Sequence, residues 1–188
     1  HWCNYKKRFL YNQKYVYPDE IWTSDKVSYI YSKKTFKKSK IRKIKNYYLN
    51  DLKKKYKKKT SNNITYFWTP IYTKNYPNLD QIIFREFYNK IYIERFKNLN
   101  LVIRPHPSEK LSKYKKIKKK YKSLIISNKK ELLDDLQISK ITFGFNSMAT
   151  YISDKLGIES YNIALKNVSN NIFLKNQFGI KNILLKLK

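Results

Sequence analysis

The chain has 188 residues, and its 42 Lys and Arg residues against 13 Asp and Glu residues give it a formal net charge of +29. Hydrophobic residues make up 41% of the chain and aromatic residues 16%, which is enough apolar surface to build a core and excludes global disorder. Its apolar runs, such as Ile180–Leu185, are far shorter than the roughly 20 residues that cross a bilayer.

The single cysteine, Cys3, argues against a disulfide framework or a multi-cysteine metal site and favours an intracellular protein. The chain begins with His1 rather than Met, and we expect it to be a fragment. Of its basic residues, 37 are Lys and only five are Arg. A protein that reads bases more often uses Arg, whose planar guanidinium fits base edges and phosphates. We therefore interpret the charge mainly as a lysine-covered surface that attracts anions.

Residues 1–50 predict the incomplete end of a first α/β domain, with a helix over about 26–36 and a short strand over about 41–45. Residues 51–61 form a basic run, which cannot bury a face and predicts a solvated helix end or a linker. We expect a domain boundary there and a second domain over residues 62–188.

The second domain alternates strands with helices. Strands are predicted over residues 64–69, 99–104, 124–127, 141–143 and, as the last one, 161–164. Asn78 with Gln81, and Asn128 with Glu131, match the capping-box pattern that begins a helix. This alternation selects a parallel sheet with right-handed crossovers. The expected fold class is α/β, a Rossmann-like parallel sheet with helices on both faces.

The first candidate site follows the strand that ends at Arg104. Pro105 and Pro107 push Arg104 and His106 into extended backbone, because the residue before proline is excluded sterically from the helical region. His106 is thereby held on a stiff tip at the carboxyl end of a strand, where open parallel sheets bind ligands. Arg104 offers a positive fork for phosphate or carboxylate, and Ser108 is expected to cap the next helix. The alternative is a rigid turn that carries a surface histidine.

The second candidate site follows the strand 141–143. Gly144 makes the turn, and the next helix is predicted from about Ser147 to Leu156, closed by Gly157 at the left-handed C-terminal position. The first-turn N–H groups and the helix dipole favour an anion there, with the Ser147 hydroxyl as a further donor. The alternative is that Asn146 or Ser147 only caps the helix. We expect both candidate sites to lie at one edge of the sheet and to line one cleft.

These two segments, Arg104–Pro107 and Gly144–Ala149, together resemble the carboxyl-terminal domain of two-domain GT-B glycosyltransferases. The nearest resemblance is to bacterial surface-polysaccharide enzymes of the sialyltransferase, polysialyltransferase and capsule Kdo-transferase kind. Those enzymes carry a His-Pro motif that contacts the nucleotide phosphate and a later Ser motif at a helix start that binds the same donor. His106-Pro107 matches the first motif, and Ser147 matches the second less specifically.

The opening of the chain supports the same resemblance. Residues 2–9, Pro18–Asp25 and Asn46–Leu49 look like the end of the amino-terminal domain in related bacterial proteins. In the sialyltransferase-like families that domain also carries an acidic motif with a glycine, which supplies the general base. The sequence here has no such motif, and we interpret Asp134-Asp135 as a solvated pair on a helix. The resemblance therefore implies a general base upstream of His1.

The resemblance implies a metal-independent glycosyltransferase that moves a sugar from a nucleotide-sugar donor, such as a CMP-activated sialic acid or Kdo, to a surface glycan or glycolipid. His106 would be the catalytic residue, stabilising negative charge on the departing phosphate. Glu109 would orient His106, contact the ribose, or only place a favourable charge at a helix start. The donor-binding residues would be Arg104, Pro107, Ser108, Glu109, Gly144, Asn146 and Ser147.

The same resemblance implies no cofactor beyond the donor and no specific nucleic acid partner. A cytoplasmic location is expected, and the lysine surface suits an enzyme working beside anionic lipid. One alternative is a nonenzymatic basic module for nucleic acid or anionic membrane, in which Tyr56, Tyr114 and Tyr121 stack on bases among the lysines of residues 53–59 and 113–122. Another is a nucleotide-sugar epimerase, which would need further acid and base residues.

Overall fold

The computed structural model describes residues 9–71, 78–165 and 180–185, and the chain divides into two compact units, residues 1–51 and residues 52–188. Cys3 and residues 2–8 of the opening segment lie outside the described residues.

The described part of the first unit contains one complete helix, the start of a second helix and two small sheets. Strands β1 (Leu10–Tyr11) and β2 (Lys14–Tyr15) pair antiparallel. Strands β3 (Glu20–Thr23) and β4 (Lys40–Lys43) pair parallel, and helix α1 (Lys26–Thr35) connects them. Asp25 caps α1, since its Oδ1 accepts the Ser28 amide at 2.7 Å. The helix and the strand therefore form within two residues of the predicted bounds.

Helix α2 (Tyr47–Lys55) crosses the division between the units and occupies the first half of the predicted linker. Its last turn consists of Lys53, Lys54 and Lys55, which places positive charge at the negative end of the helix dipole. Residues 56–62 form neither helix nor strand.

The described residues of the second unit form a sheet of six strands, all parallel, in the order β10-β9-β8-β5-β6-β7. These strands are β5 (Asn63–Phe67), β6 (Asn100–Arg104), β7 (Ile125–Ile126), β8 (Ser139–Gly144), β9 (Glu159–Leu165) and β10 (Lys181–Leu185). Numbered within the unit, this is the doubly wound order 3-2-1-4-5-6 of Rossmann-like sheets. The prediction of a Rossmann-like parallel α/β fold is confirmed.

Helices cover both faces of this sheet. They are α3 (Leu79–Phe87), which continues as a π-helix over Tyr88–Phe96, α4 (Leu111–Lys120), α5 (Leu132–Gln137) and α6 (Met148–Lys155). Phe143 and Gly144 are consecutive in β8 and so point to opposite faces. The Phe143 ring lies 4.9 Å from the ring of Phe87 in α3, whereas the Cβ position of Gly144 faces Thr150 in α6. Helices α3 and α6 therefore pack on opposite faces.

The strand expected to be the last one is not the last. Strand β10 pairs with β9 in register from Lys181 opposite Tyr161 to Leu185 opposite Leu165. The sequence does not predict β10, because Lys181 and Asn182 interrupt the continuous apolar pattern that is typical of a buried parallel strand. Within the described residues, no helix combines the length and the apolar character needed to cross a membrane.

The two predicted capping boxes do not form. Asn78 is the N-cap of α3 but makes no side-chain capping bond, and α5 has Glu131 rather than Asn128 as its N-cap. The backbone carbonyls of residues 129–131 are instead hydrogen-bonded by Arg104, which holds this segment as a loop. Tertiary contacts therefore override the local helix-start signal.

The approach of α6 to β8 requires glycine at position 144. A Cβ there would lie 2.3 Å from Thr150 Oγ1 and 2.9 Å from Ser147 Cβ. We therefore expect Gly144→Ala to lower the free energy of unfolding by about 1–3 kcal/mol in urea denaturation. Adding Thr150→Ala should recover part of this loss, because it removes the nearest atom. Thr150→Ala alone should cost little hydrogen-bond energy, because Oγ1 has no partner in the described part of the chain. Wild-type stability of Gly144→Ala would contradict the close packing.

Candidate functional site

The carboxyl ends of the central strands bring the two candidate loops to one edge of the sheet. Phe67 at the end of β5 is in register with Arg104 on one side and with Gly144 on the other. The strand order reverses between β5 and β8, and such a switch point is where open α/β sheets bind ligands. The loops that carry His106 and Ser147 therefore leave the same edge with β5 between them, two strand spacings or roughly 10 Å apart.

His106 is half-buried two residues beyond β6, and Ser108 fixes the orientation of its ring. The Ser108 amide donates to Nδ1 at 3.2 Å, and the Ser108 hydroxyl lies 2.8 Å from the same nitrogen. Because Nδ1 accepts the amide hydrogen, the neutral ring carries its proton on Nε2. Nε2 has no hydrogen-bond partner among the described residues. The ring is thus a directed donor, with Pro107 exposed beside it.

The expected capping role of Ser108 is wrong. The N-cap of α4 is Lys110, which makes no side-chain capping bond. The Ser108 hydroxyl is drawn to the imidazole instead, because the Pro107 turn returns residue 108 towards the ring rather than onwards to the helix start.

The buried Tyr114 side chain holds the backbone of His106 in place. The His106 amide donates to the Tyr114 hydroxyl at 3.2 Å, and that hydroxyl donates to Glu109. Burial raises the pKa of Tyr114 and the hydrogen bond to Glu109 raises it further, so the phenol stays protonated as a donor. Glu109 therefore acts on the backbone of His106 through Tyr114, and its contact with a ribose stays a prediction.

Lys113 connects Glu109 to the residue that follows β5. Its Nζ lies 2.5 Å from Glu109 and also contacts Asp80, and Asp80 accepts a hydrogen bond from Trp68 Nε1 at 2.8 Å. Burial by itself lowers the pKa of Lys113, but the hydrogen bonds to the two carboxylates leave it above its usual value. The sequence analysis missed Asp80 and Lys113. The one available signal was the i,i+4 spacing of Glu109 and Lys113.

Arg104 is engaged inside the protein and does not present a free fork. Its guanidinium pairs with Asp135 and donates to the carbonyls of residues 129, 130 and 131 at 3.1–3.3 Å. The expected role of Arg104 as a phosphate ligand is therefore replaced by a positioning role for the loop after β7. The expectation that Asp134-Asp135 is a solvated pair is also wrong for Asp135, which is 1% exposed and accepts from Ser127 at 2.8 Å.

The loop after β8 is held by a buried asparagine that the sequence analysis missed. Asn146 has φ +48°, and its amide donates to Asn162 Oδ1 at 2.8 Å. Asn162 is fully buried in β9 opposite Gly144. The Ser147 hydroxyl accepts the Ala149 amide at 3.3 Å, so Ser147 is the N-cap of α6. The exposed Asn146 and the half-buried Ser147 flank the start of this helix.

The tyrosines proposed to stack on bases are packed against the protein. Tyr114 is fully buried, and the Tyr56 hydroxyl is buried without a hydrogen-bond partner. The Tyr121 ring lies 5.5 Å from Phe84 and 4.5 Å from Tyr88. The tyrosine rings that alternate with the lysines therefore face the protein core and not the solvent.

Comparison with models of known protein families, with curated protein sequences and with solved structures finds no match.

Because Arg104 pairs with Asp135 and not with Asp134, we expect substitutions of these two aspartates to differ in their effect on stability. Asp135→Asn should lower the free energy of unfolding by about 3–5 kcal/mol, because it leaves a largely buried guanidinium without its counter-charge. The matched control Asp134→Asn changes an exposed carboxylate and should cost less than about 0.5 kcal/mol. Urea denaturation of the two variants at one pH measures both. Equal small losses would show that Asp135 does not secure the loop.

Proposed function

We propose that the second unit binds the phosphate of a nucleotide sugar at the carboxyl edge of its sheet and that the protein is a glycosyltransferase of the GT-B type. The observation that carries the proposal is the imidazole of His106. Its Nδ1 is anchored by Ser108, and its Nε2 is left as a donor beside the switch point of a doubly wound sheet.

The reaction requires a donor group at this place. Sugar transfer breaks the bond between the anomeric carbon and a phosphate oxygen, and the electron pair of that bond leaves with the phosphate. A proton held on His106 Nε2 can hydrogen-bond the departing oxygen as its charge develops. In the proposal, the amides of the first turn of α6 and the Ser147 hydroxyl act on the other phosphate oxygens.

The rigidity of the His106 loop supports the proposal. A preorganised donor stabilises the transition state without having to be ordered during the reaction. The backbone of His106 is held by the buried Tyr114 hydroxyl, and Tyr114 is in turn held by the pair of Glu109 and Lys113. Arg104 contributes at a distance, by fixing the neighbouring loop through Asp135.

The proposed donor is a nucleotide-activated acidic sugar, such as a CMP-activated sialic acid or Kdo, and the acceptor a surface glycan or glycolipid such as capsule or lipopolysaccharide. Such donors carry a carboxylate as well as a phosphate, and the net charge of +29 favours their approach. The first unit would serve the acceptor side, and the enzyme would work at the cytoplasmic face of a membrane. These assignments extend from the family resemblance of the sequence.

Nucleotide binding tests the site separately from bulk charge. His106→Ala should weaken binding of CMP or UDP about ten- to a hundredfold, as expected for loss of one hydrogen bond to a charged group. Ser108→Ala removes only one of the two contacts to Nδ1 and should cause a smaller loss. Isothermal titration calorimetry at one fixed salt concentration measures both affinities.

The matched controls are Lys118→Ala and Lys119→Ala, which each remove one charge from the exposed side of α4. Their affinities should stay within about twofold of wild type, because each changes a field of formal charge +29 only slightly. Equal losses for His106→Ala and the lysine controls would reject the phosphate site. Binding of inorganic phosphate as tightly as CMP would reject a nucleotide as the ligand.

A further inference from the structure

A groove that the proposed reaction does not use runs between α3 and α4 on one face of the second unit. It has a volume of ≈ 520 Å³. Its walls come from one stripe of each helix, spaced three or four residues apart, as neighbours on a helix surface are. The α3 wall is Asn78, Gln81, Ile82 and Arg85, and the α4 wall is Ser112, Lys113, Lys116, Ile117, Lys120 and Tyr121.

The floor of the groove is apolar. It includes Trp68 and Phe84, which are 3% and 1% exposed, with Ile117 and the half-buried Ile82 beside them. The rings of Trp68 and Phe84 lie 5.2 Å apart and are packed into the core. Lys113 Nζ lies 5.1 Å from the centre of the Trp68 ring, so the apolar surface that an occupant can reach belongs mainly to Ile82.

The rim of the groove is cationic. Arg85, Lys113, Lys116 and Lys120 line it, and among the described residues no carboxylate does. Arg85 and Lys113 have acidic neighbours in Glu86 and in Asp80 and Glu109, whereas Lys116 and Lys120 form no ion pair with any described residue. The uncompensated charge therefore lies on α4.

The positive charge continues outwards from the rim. Six of the ten residues of α4 are lysine and none is acidic, and Lys115, Lys118 and Lys119 are exposed on its outer side. Lysine places a mobile point charge on a long apolar stem, which follows anionic headgroups without requiring a fixed register. A broad cationic face around an apolar groove is the pattern of a surface that rests on anionic lipid.

We propose that the groove between α3 and α4, with the outer face of α4, docks this protein on a membrane that contains anionic phospholipid. Phospholipid phosphates contact Lys116, Lys120 and Arg85, and acyl hydrocarbon covers the half-buried Ile82. A second copy of the chain is disfavoured, because each copy carries a formal charge of +29. A nucleic acid strand is disfavoured, because Trp68 and Phe84 are buried and the half-buried Tyr121 ring packs against Phe84 and Tyr88, which leaves little ring surface for stacking.

The test is sedimentation of the full chain with vesicles at one fixed ionic strength. We expect strong binding to phosphatidylcholine vesicles that contain 30% phosphatidylglycerol and weak binding to phosphatidylcholine alone. The double variant Lys116→Gln with Lys120→Gln should bind the anionic vesicles about thirtyfold more weakly, or about fivefold for each lysine at the surface.

The matched control is Lys53→Gln with Lys54→Gln, which also removes two positive charges, here from the exposed last turn of α2. It should lose less than about threefold, because neither lysine is among the residues that line the groove. Ile82→Ser leaves the charge unchanged and should still weaken binding severalfold, since it removes apolar contact, whereas Ile82→Val should retain it.

Equal losses in the groove variant and the control would overturn the proposal in favour of diffuse attraction. Wild-type binding by Ile82→Ser would overturn insertion into the groove. Tighter binding of a single-stranded oligonucleotide, lost in the groove variant alone, would assign the groove to nucleic acid and would also overturn the proposal. Nucleotide affinity should stay at the wild-type value in every groove variant, so that the proposed membrane contact and the proposed function fail or hold independently.

Discussion

The parallel pairing of β5 with both β6 and β8 is the constraint on which the candidate site depends. Because Phe67 is level with Arg104 and with Gly144, the loops after β6 and β8 leave the sheet at one edge and at one height. A shift of one residue in either pairing would turn every side chain of that strand to the opposite face. The aromatic contacts of Tyr66 and Phe143 with α3 make such a shift costly, because they bury these rings on one face only.

The scarcity of acidic residues shapes the rest of the second unit. The chain has 13 of them against 42 basic residues, and Asp80, Glu86 and Asp135 are buried and paired with lysine or arginine. Hydrogen bonds from Lys90, together with the charge of Lys90 and Arg85, outweigh burial and lower the pKa of Glu86. These three carboxylates therefore hold loops and helices in place from inside the fold. The surface is left with an excess of lysine that attracts anions.

The two proposed sites of the second unit differ in the kind of contact that each would make. At the sheet edge, His106 offers a single directed donor, and its position depends on a buried network that reaches Trp68 through Lys113 and Asp80. Along α4, the lysines act together through long, mobile side chains. The first kind is sensitive to loss of one hydrogen bond and the second to ionic strength. Lys113 belongs to the network and to the groove at once, which is why the groove variants leave it unchanged.

The sequence by itself determined the alternation of strands and helices, the Rossmann-like class and the two strand ends that carry His106 and Ser147, because hydrophobic periodicity and proline or glycine stops are local properties of the chain. It also placed the left-handed glycine at Gly157, which has φ +81°. Only the tertiary structure decided that Arg104 pairs with Asp135, that Ser108 anchors His106 instead of capping α4, and that Asn162 holds the loop at Asn146. Asn146 and Asn162 are 16 positions apart in the chain, and Arg104 and Asp135 are 31 positions apart. The contact of Ser108 with His106 depends on how the folded loop turns. A polar side chain takes the partner that the packed fold brings within reach, and spacing along the chain does not specify that partner.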